Sequence, residues 1–235
     1  MTFISRRDLL KRAAVVGAAA AASGDVARGL QPSVEAAHGP AEAGHYAEAL
    51  HEHAMAAARE PLENLTATEA DLLEAIVARL IPTDANGPGA TEARAAHYID
   101  RALAGALASA RAAYAAGLAA VDTYAQAAKG TPFAQLSVQD QDAVLSHMEK
   151  NIATGFTPNS ATFFNLVRMH TLQGTFCDPY YGGNANFVGW DLLGYPGVRI
   201  AVTADQQRMD VDLTPNHQSA YDYEPFSKKS ISHGH

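Results

Sequence analysis

Signals that start and stop helices recur along most of this chain, and they constrain its fold more than any other feature. Thr66 and Glu69 have the spacing of a capping box, in which each side chain accepts a hydrogen bond from a backbone N–H at the start of a helix. Pro82 then ends the segment, because proline cannot continue a helix. Between these signals apolar residues recur at helical spacing and predict one buried stripe: Leu72, Leu73, Ile76, Val77 and Leu80.

The alanine-rich stretch at 91–129 also predicts helix, because alanine has the highest helix propensity. Gly105 and Gly117 interrupt this stretch, and each can mark a helix break or a close helix crossing. We therefore expect two helices here rather than one. Ser137 is a typical N-cap residue and predicts the start of a further helix. The inward residues of that helix should be Val144, Leu145 and Met148.

The last strong helix signal precedes an unusual loop. Asn159 predicts the start of a helix that ends near Leu172, with Gly174 at the C′ position that favours glycine. Residues 46–60 favour one more helix, whereas strand patterns are weak apart from a brief apolar run at 198–202. The predicted fold class is all-α: an irregular helical bundle of about five or six helices, with a Gly/aromatic loop and an extended C-terminal tail.

The first residues have the pattern of a twin-arginine export signal. Arg6 and Arg7 precede a short apolar segment at 13–22 that ends in small residues. A membrane-spanning helix needs about 20 apolar residues, so this segment is too short to be an anchor. Because the twin-arginine route carries folded cargo, we expect folding in the cytoplasm and function in the periplasm. The alternative is an ordinary N-terminal helix with two adjacent arginines.

Composition divides the chain into four segments. Residues 1–27 are predicted to be the signal peptide, 28–61 a linker and N-terminal helical arm, 62–197 a helical core domain with the Gly/aromatic loop, and 198–235 the extended tail. The arm contains His45, His51 and His53. His51 and His53 are two residues apart, which places them on different helix faces and makes them poor co-ligands for a metal.

The net charge limits the possible partners. The formal net charge is −8, and the leader through Ala22 itself carries +3, so its removal leaves −11. An acidic chain does not bind nucleic acid through counterion release, and anionic lipid headgroups repel it. We therefore expect no nucleic-acid partner and no direct membrane span, with any membrane association made through another subunit.

The region at 175–197 is the most unusual part of the sequence, because it contains five glycines and six aromatic residues. One interpretation is a loop folded onto its own helices, with Trp190 as a core plug. Another is a rigid aromatic surface for a second protein, since Tyr and Trp are enriched at interface centres. Both can hold, with Trp190 and Phe187 directed inward. The outward residues would then be Tyr180, Tyr181 and Tyr195.

The sequence contains no common catalytic motif. A dinucleotide fingerprint, a phosphate-binding loop, a nucleophile elbow and a His-Glu-x-x-His pair are all missing. The alternative to an interaction protein is a stand-alone periplasmic helical enzyme or metal-binding protein. It would use His97, His147 or His170 with nearby acids, although histidines in predicted helices are more often packed than ligating. The single cysteine, Cys177, is either an inert buried thiol or a thiol available for an intermolecular bond.

Several motifs around this loop resemble the gluconate 2-dehydrogenase subunit 3 family. The most specific is the run from His170 to Asn184, His-Thr-Leu-Gln-Gly-Thr-Phe-Cys-Asp-Pro-Tyr-Tyr-Gly-Gly-Asn, followed by Val188-Gly189-Trp190 and Gly194-Tyr195-Pro196-Gly197. Upstream, residues 163–168 resemble the helix that precedes this signature, and residues 81–84, 87–90 and 98–100 resemble the family's N-terminal block. The resemblance covers roughly Leu65 to Gly197.

The resemblance implies a non-catalytic small subunit of a periplasmic FAD-dependent sugar or polyol dehydrogenase. The main partner would be a flavoprotein large subunit of the glucose-methanol-choline type, and a multihaem cytochrome c subunit often completes such complexes. This chain would hold no cofactor, because FAD would lie in the large subunit and haem c in a third subunit. It would assist the folding of the flavoprotein and carry it through the twin-arginine translocase.

With this resemblance, the Gly/aromatic loop becomes the expected partner interface. No catalytic, cofactor-binding or metal-binding residue is expected in this chain. The expected interface residues are Phe176, Cys177, Asp178, Tyr180, Tyr181, Asn184, Trp190 and Tyr195. Because Cys177 lies inside this loop in a protein bound for an oxidising compartment, the resemblance also makes it a candidate for an intersubunit disulfide.

Overall fold

The computed structural model describes residues 61–227, and nearly all of them belong to one compact unit that begins at Leu62. The export signal with Arg6 and Arg7, and the arm with its three histidines, lie outside the described residues. The end of the tail, residues 228–235, also lies outside them.

The described residues contain six α-helices and no β-strand, which confirms the all-α prediction. The helices are α1 (Ala67–Leu80), α2 (Ala95–Ala104), α3 (Arg111–Lys129), α4 (Val138–Glu149), α5 (Ser160–Phe176) and α6 (Val188–Leu193). The brief apolar run at 198–202 forms no strand.

The start of α1 is fixed by its predicted capping box and by a buried acid from α2. The Thr66 hydroxyl accepts a hydrogen bond from the Glu69 N–H, and the Glu69 carboxylate accepts one from the Thr66 N–H. The carboxylate of Asp100, which is buried, accepts three further bonds. Their donors are the backbone N–H groups of Glu63 (2.7 Å), Asn64 (3.0 Å) and Leu65 (2.7 Å). Asp100 thereby ties the segment before α1 to α2.

The alanine-rich stretch forms two helices, as predicted. Gly105 ends α2, and the chain bends by 99° before it continues into α3. Gly117 lies inside α3 at a close crossing, where a Cβ atom would overlap the ring of Phe163 on α5. Gly105 therefore marks the helix break, and Gly117 marks the close helix crossing.

Among the described residues, no single helix is long and apolar enough to cross a membrane. One bent pair, Ala95–Ala104 with Ala108–Lys129, meets the length and composition criteria when its two parts are taken together.

α5 is the central helix, because it packs against each of the other five. Its Phe163, Phe164 and Val167 lie in the apolar core with the predicted stripe of α1 and the inward residues of α4. One polar pair is enclosed in this core. The hydroxyl of Tyr114 lies 3.0 Å from Nδ1 of His170, and burial lowers the pKa of this histidine, so it is held neutral.

α5 is longer than the sequence indicated. Asn159 caps its start as predicted, but the helix continues past Leu172 to Phe176, with Cys177 as the C-cap. The expectation that Gly174 is the C′ residue was wrong. Gly174 lies inside the helix, where a Cβ atom would come within 3.0 Å of the Cα and carbonyl oxygen of Ala95 on α2. This glycine therefore permits close helix packing and does not end the helix.

The crossing at Gly117 gives a prediction for stability. Gly117→Ala should destabilise the full chain by about 2 kcal/mol, because the added methyl group must displace the buried Phe163 ring. Urea unfolding followed by circular dichroism measures the change. Ala116→Ser is the control, since it enlarges the exposed neighbouring residue and should cost less than about 0.7 kcal/mol. Equal stability of the two variants would show that the crossing is not tight.

Candidate protein interface

The loop that follows α5 caps the end of that helix. The last carbonyl groups of a helix have no partner within it and need donors from elsewhere. The Gly174 carbonyl accepts from the backbone N–H of Asn184 at 2.7 Å. The Cys177 carbonyl accepts from Asn184 Nδ2 at 2.8 Å, and the Phe176 carbonyl from Trp190 Nε1 at 3.1 Å. Two loop residues thus satisfy three carbonyls at the helix end.

Asn184 holds the loop together from its centre. It is fully buried, and its Oδ1 accepts a hydrogen bond of 2.7 Å from the Gly189 N–H. Both ends of its side chain are therefore bonded within the chain. Its backbone is left-handed, with φ of 45°, a conformation that asparagine tolerates better than most residues.

Two glycines let the loop backbone touch the helix directly. A Cβ atom on Gly183 would overlap the Gly174 carbonyl, and one on Gly189 would overlap the Thr175 carbonyl. Any larger residue would hold the loop away from the helix end and separate Asn184 and Trp190 from their acceptors. The glycine content of this region thus has a packing cause as well as a conformational one.

Trp190 and the three tyrosines of the loop lie as the sequence indicated, whereas Phe187, which was expected to be directed inward, is half-buried and lines a surface groove. Trp190 is buried, and its ring centroid lies 5.3 Å from Phe187 and 4.8 Å from Tyr195. Tyr180, Tyr181 and Tyr195 are 60%, 50% and 40% exposed. The loop is therefore folded onto its own helix and still presents aromatic rings to the outside.

The C-terminal tail returns to the loop, which the sequence did not predict. The Asp178 carboxylate accepts hydrogen bonds from the Ser219 hydroxyl at 2.6 Å and the Ala220 N–H at 3.0 Å. It also accepts from the Tyr180 N–H at 3.0 Å. Asp178 thus joins two segments about 40 residues apart. Residues 216–227 of the tail contain two short 3-10 turns and fold against the loop.

Three tyrosines cluster where the tail meets the loop: Tyr180 and Tyr181 are exposed, and Tyr221 is half-buried. The ring of Tyr221, from the tail, stacks on Tyr180 with centroids 3.9 Å apart. Its hydroxyl lies 2.7 Å from the hydroxyl of Tyr181. One sequence signal could have located this turn: Ser219 and Asp222 have capping-box spacing, and their reciprocal bonds are present.

A histidine makes the second connection between tail and loop. His217 Nε2 lies 2.8 Å from Asp191 Oδ1, and its ring stacks on Phe187 with centroids 5.0 Å apart. Phe187 has a left-handed backbone with φ of 61°, which costs about 1–2 kcal/mol for a bulky residue. The rings of His217 and Trp190 both pack against this strained residue.

Cys177 is a half-buried free thiol at the end of α5. Its Sγ lies 3.7 Å from the Gly174 carbonyl oxygen. Burial, aided by the neighbouring Asp178 carboxylate, raises the pKa of this thiol to about 11, although a backbone hydrogen bond from Gly183 opposes the shift. The thiol is therefore protonated at neutral pH and is a weak nucleophile in the chain alone.

Two of the histidines considered as metal ligands are each bonded to a tyrosine. His170 is bonded to Tyr114 in the core, and His147 Nδ1 lies 2.9 Å from the Tyr124 hydroxyl. His97 lies half-buried on α2. Within residues 61–227, no group of three His, Cys, Asp or Glu side chains has the arrangement of a metal site.

Comparison with known proteins gives one match. The family described as gluconate 2-dehydrogenase subunit 3 matches residues 67–197, which is more than half of the chain. The match begins in α1 and ends with the Gly/aromatic loop, so it spans the helical bundle and the cap on α5. No curated protein and no solved structure matches the chain.

The role of Asn184 can be tested with a matched pair of substitutions. Asn184→Ala removes the donor to the Cys177 carbonyl and the acceptor for the Gly189 N–H. Asn186→Ala changes a second left-handed asparagine, with φ of 53°, that lies exposed in the same loop. Asn184→Ala should therefore lower the free energy of unfolding by about 2 kcal/mol more than Asn186→Ala does, because it leaves buried polar groups unpaired.

Chemical denaturation of the two full-chain variants gives this difference directly. Equal destabilisation would mean that the cost comes only from the left-handed backbone, and that the side-chain bonds of Asn184 do not hold the loop.

Proposed function

The chain belongs to the gluconate 2-dehydrogenase subunit 3 family, and we propose that it is the non-catalytic small subunit of a periplasmic, FAD-dependent sugar or polyol dehydrogenase. The family makes it an accessory subunit of a dehydrogenase complex. The flavin chemistry of the partner, the export role and the compartment are the parts that we propose.

The observation that carries this proposal is the exposed aromatic surface on a braced loop. Tyr180 and Tyr181 are at least half exposed, and Asp178 and Asn184 hold the backbone beneath them. A surface that is ordered before binding loses little conformational entropy when a partner covers it. Tyrosine also supplies a large contact area with few rotatable bonds. This arrangement suits a stable protein interface.

The expected interface residues then have two different tasks. Tyr180, Tyr181 and Tyr195 are exposed and would contact the flavoprotein subunit. Asn184 and Trp190 are buried and would act by holding these tyrosines in position. The remaining three, which are half-buried at the end of α5, would lie at the margin of the contact: Phe176, Cys177 and Asp178.

In this proposal the cofactors belong to the other subunits. The flavoprotein large subunit, of the glucose-methanol-choline type, would bind FAD and the substrate. A multihaem cytochrome c subunit would accept electrons and provide the membrane association. The small subunit would assist the folding of the flavoprotein and, through Arg6 and Arg7, direct the folded pair to the twin-arginine translocase.

The export role predicts that the flavoprotein depends on this chain for its location. The double variant Arg6→Lys and Arg7→Lys should leave both subunits in the cytoplasm, because the translocase recognises the arginine pair and the large subunit travels with this chain. Fractionation followed by immunoblotting of both subunits measures the effect.

Arg12→Lys is the control for the loss of an arginine from the same leader, and it should leave export unchanged. Periplasmic flavoprotein in cells that carry the double variant would contradict the export role. That result would not bear on whether the two chains form one complex, which co-purification of the chain with the flavoprotein tests separately.

We also propose that Cys177 forms a disulfide with a cysteine of the large subunit, in which the two thiols lose two protons and two electrons to the thiol-oxidising system of the periplasm. In the chain alone the thiol has a pKa of about 11, so it should react only when the partner brings a second cysteine beside it. The purified complex should then run as one band in non-reducing electrophoresis, and as two bands for Cys177→Ser. Two separate bands for the unreduced wild-type complex would exclude the bond.

A further inference from the structure

A groove of about 920 Å³ lies where the C-terminal tail meets the Gly/aromatic loop. Two aromatic rings come from the loop, Tyr180 and Phe187, and two come from the tail, Tyr221 and Phe226. The carboxylate-bearing side chain of Asp222 also lines the groove and is exposed. The groove thus combines aromatic surfaces with a negative charge.

Neither segment can form this groove by itself. The Tyr180 ring is one half of a stack whose other half, Tyr221, comes from the tail. Asp178 holds the two segments together through Ser219 and Ala220. A ligand of this groove would therefore contact the loop and the tail simultaneously. Its binding would depend on the tail being packed against the loop.

The charge around the groove favours a cationic ligand. Residues 175–229 contain seven Asp and Glu residues against two arginines and two lysines, Lys228 and Lys229, so this part of the sequence is net acidic. One of these arginines, Arg199, donates to the backbone carbonyls of Thr214 and Pro196. The other, Arg208, lies 3.9 Å from Asp205 and does not line the groove. Neither arginine therefore neutralises Asp222.

The combination of rings and carboxylate selects one kind of cation. An aromatic face attracts a cation by its quadrupole, and a planar guanidinium both stacks on a ring and forms paired hydrogen bonds with a carboxylate. The ammonium group of lysine is attracted by the charge, but it cannot stack on a ring or form the paired hydrogen bonds of a guanidinium. The groove therefore fits an arginine side chain better than a lysine.

We infer that this groove binds an arginine-bearing segment of the dehydrogenase subunit, with the guanidinium between the aromatic rings and Asp222. The inference rests on the proposed function for the identity of the partner, and it adds the chemistry of the contact. It also gives the tail a role: the tail completes the docking site that the loop begins.

Two substitutions test the two parts of the groove. Asp222→Asn removes the charge but keeps an oxygen that can accept from the Ser219 N–H, to which Asp222 is bonded at 2.7 Å. Tyr180→Ala removes one aromatic ring of the groove. The Tyr180 hydroxyl takes part in none of the hydrogen bonds between loop and tail described above. The controls are Asp71→Asn, which removes an exposed charge from α1, and Ile152→Ala, which removes an exposed apolar side chain after α4.

The dissociation constant between the full chain and the dehydrogenase subunit is measured by biolayer interferometry at several salt concentrations. We expect each groove variant to weaken binding at least 10-fold, and each control to change it less than 2-fold. Asp222→Asn should also reduce the salt dependence of binding, because it removes one charge pair. Groove variants that bind within 2-fold of wild type would overturn the inference.

A chemical readout identifies the cation. Phenylglyoxal modifies accessible arginines, so the wild-type complex should protect one arginine of the dehydrogenase subunit that the Asp222→Asn complex leaves reactive. Protection of no arginine, or equal protection in both complexes, would overturn the inference. If the wild-type chain does not bind the dehydrogenase subunit at all, the proposed function itself is wrong.

Discussion

The last carbonyl groups of α5 need donors, and the way the chain supplies them determines the conformation of the loop beyond the helix. Asn184 and Trp190 donate to the carbonyls of Gly174, Phe176 and Cys177. A buried carbonyl without a donor costs about 1–3 kcal/mol, so a loop that left these groups unpaired would forfeit much of the stability of a small domain. The cap therefore ties the loop to the central helix of the bundle.

This constraint extends outward in steps. The capped loop places Asp178 where it can bind the tail, and the tail then places Tyr221 against Tyr180. The exposed tyrosines thus depend on bonds made by buried residues. A surface built in this way is held by bonds within the chain, which fits an accessory subunit of a dehydrogenase complex.

Local features of the fold could be predicted from the sequence. The capping box at Thr66, the N-caps at Ser137 and Asn159 and the break at Gly105 depend on neighbouring residues, and the structure confirms each of them. The end of α5 was not predictable in this way. Gly174 has the appearance of a helix terminator, but its role depends on contact with Ala95 in another helix.

The sequence predicted that the loop is packed and has outward tyrosines, but not which hydrogen bonds hold it. Its aromatic and glycine content indicated a packed segment with outward tyrosines, and the structure shows both. The bond between Asp178 and Ser219 joins residues 41 apart, and no local pattern identifies such a pair. The same holds for Asp100, whose three backbone partners precede it by 35 to 37 residues.

The most direct test of this account is a structure of the purified complex by electron cryomicroscopy. We predict that side chains of the dehydrogenase subunit fill the groove at Tyr180, Tyr221 and Asp222, while Asn184 and Trp190 keep their bonds to the end of α5. A complex in which this groove faces solvent, and another surface of the chain contacts the dehydrogenase subunit, would contradict the account.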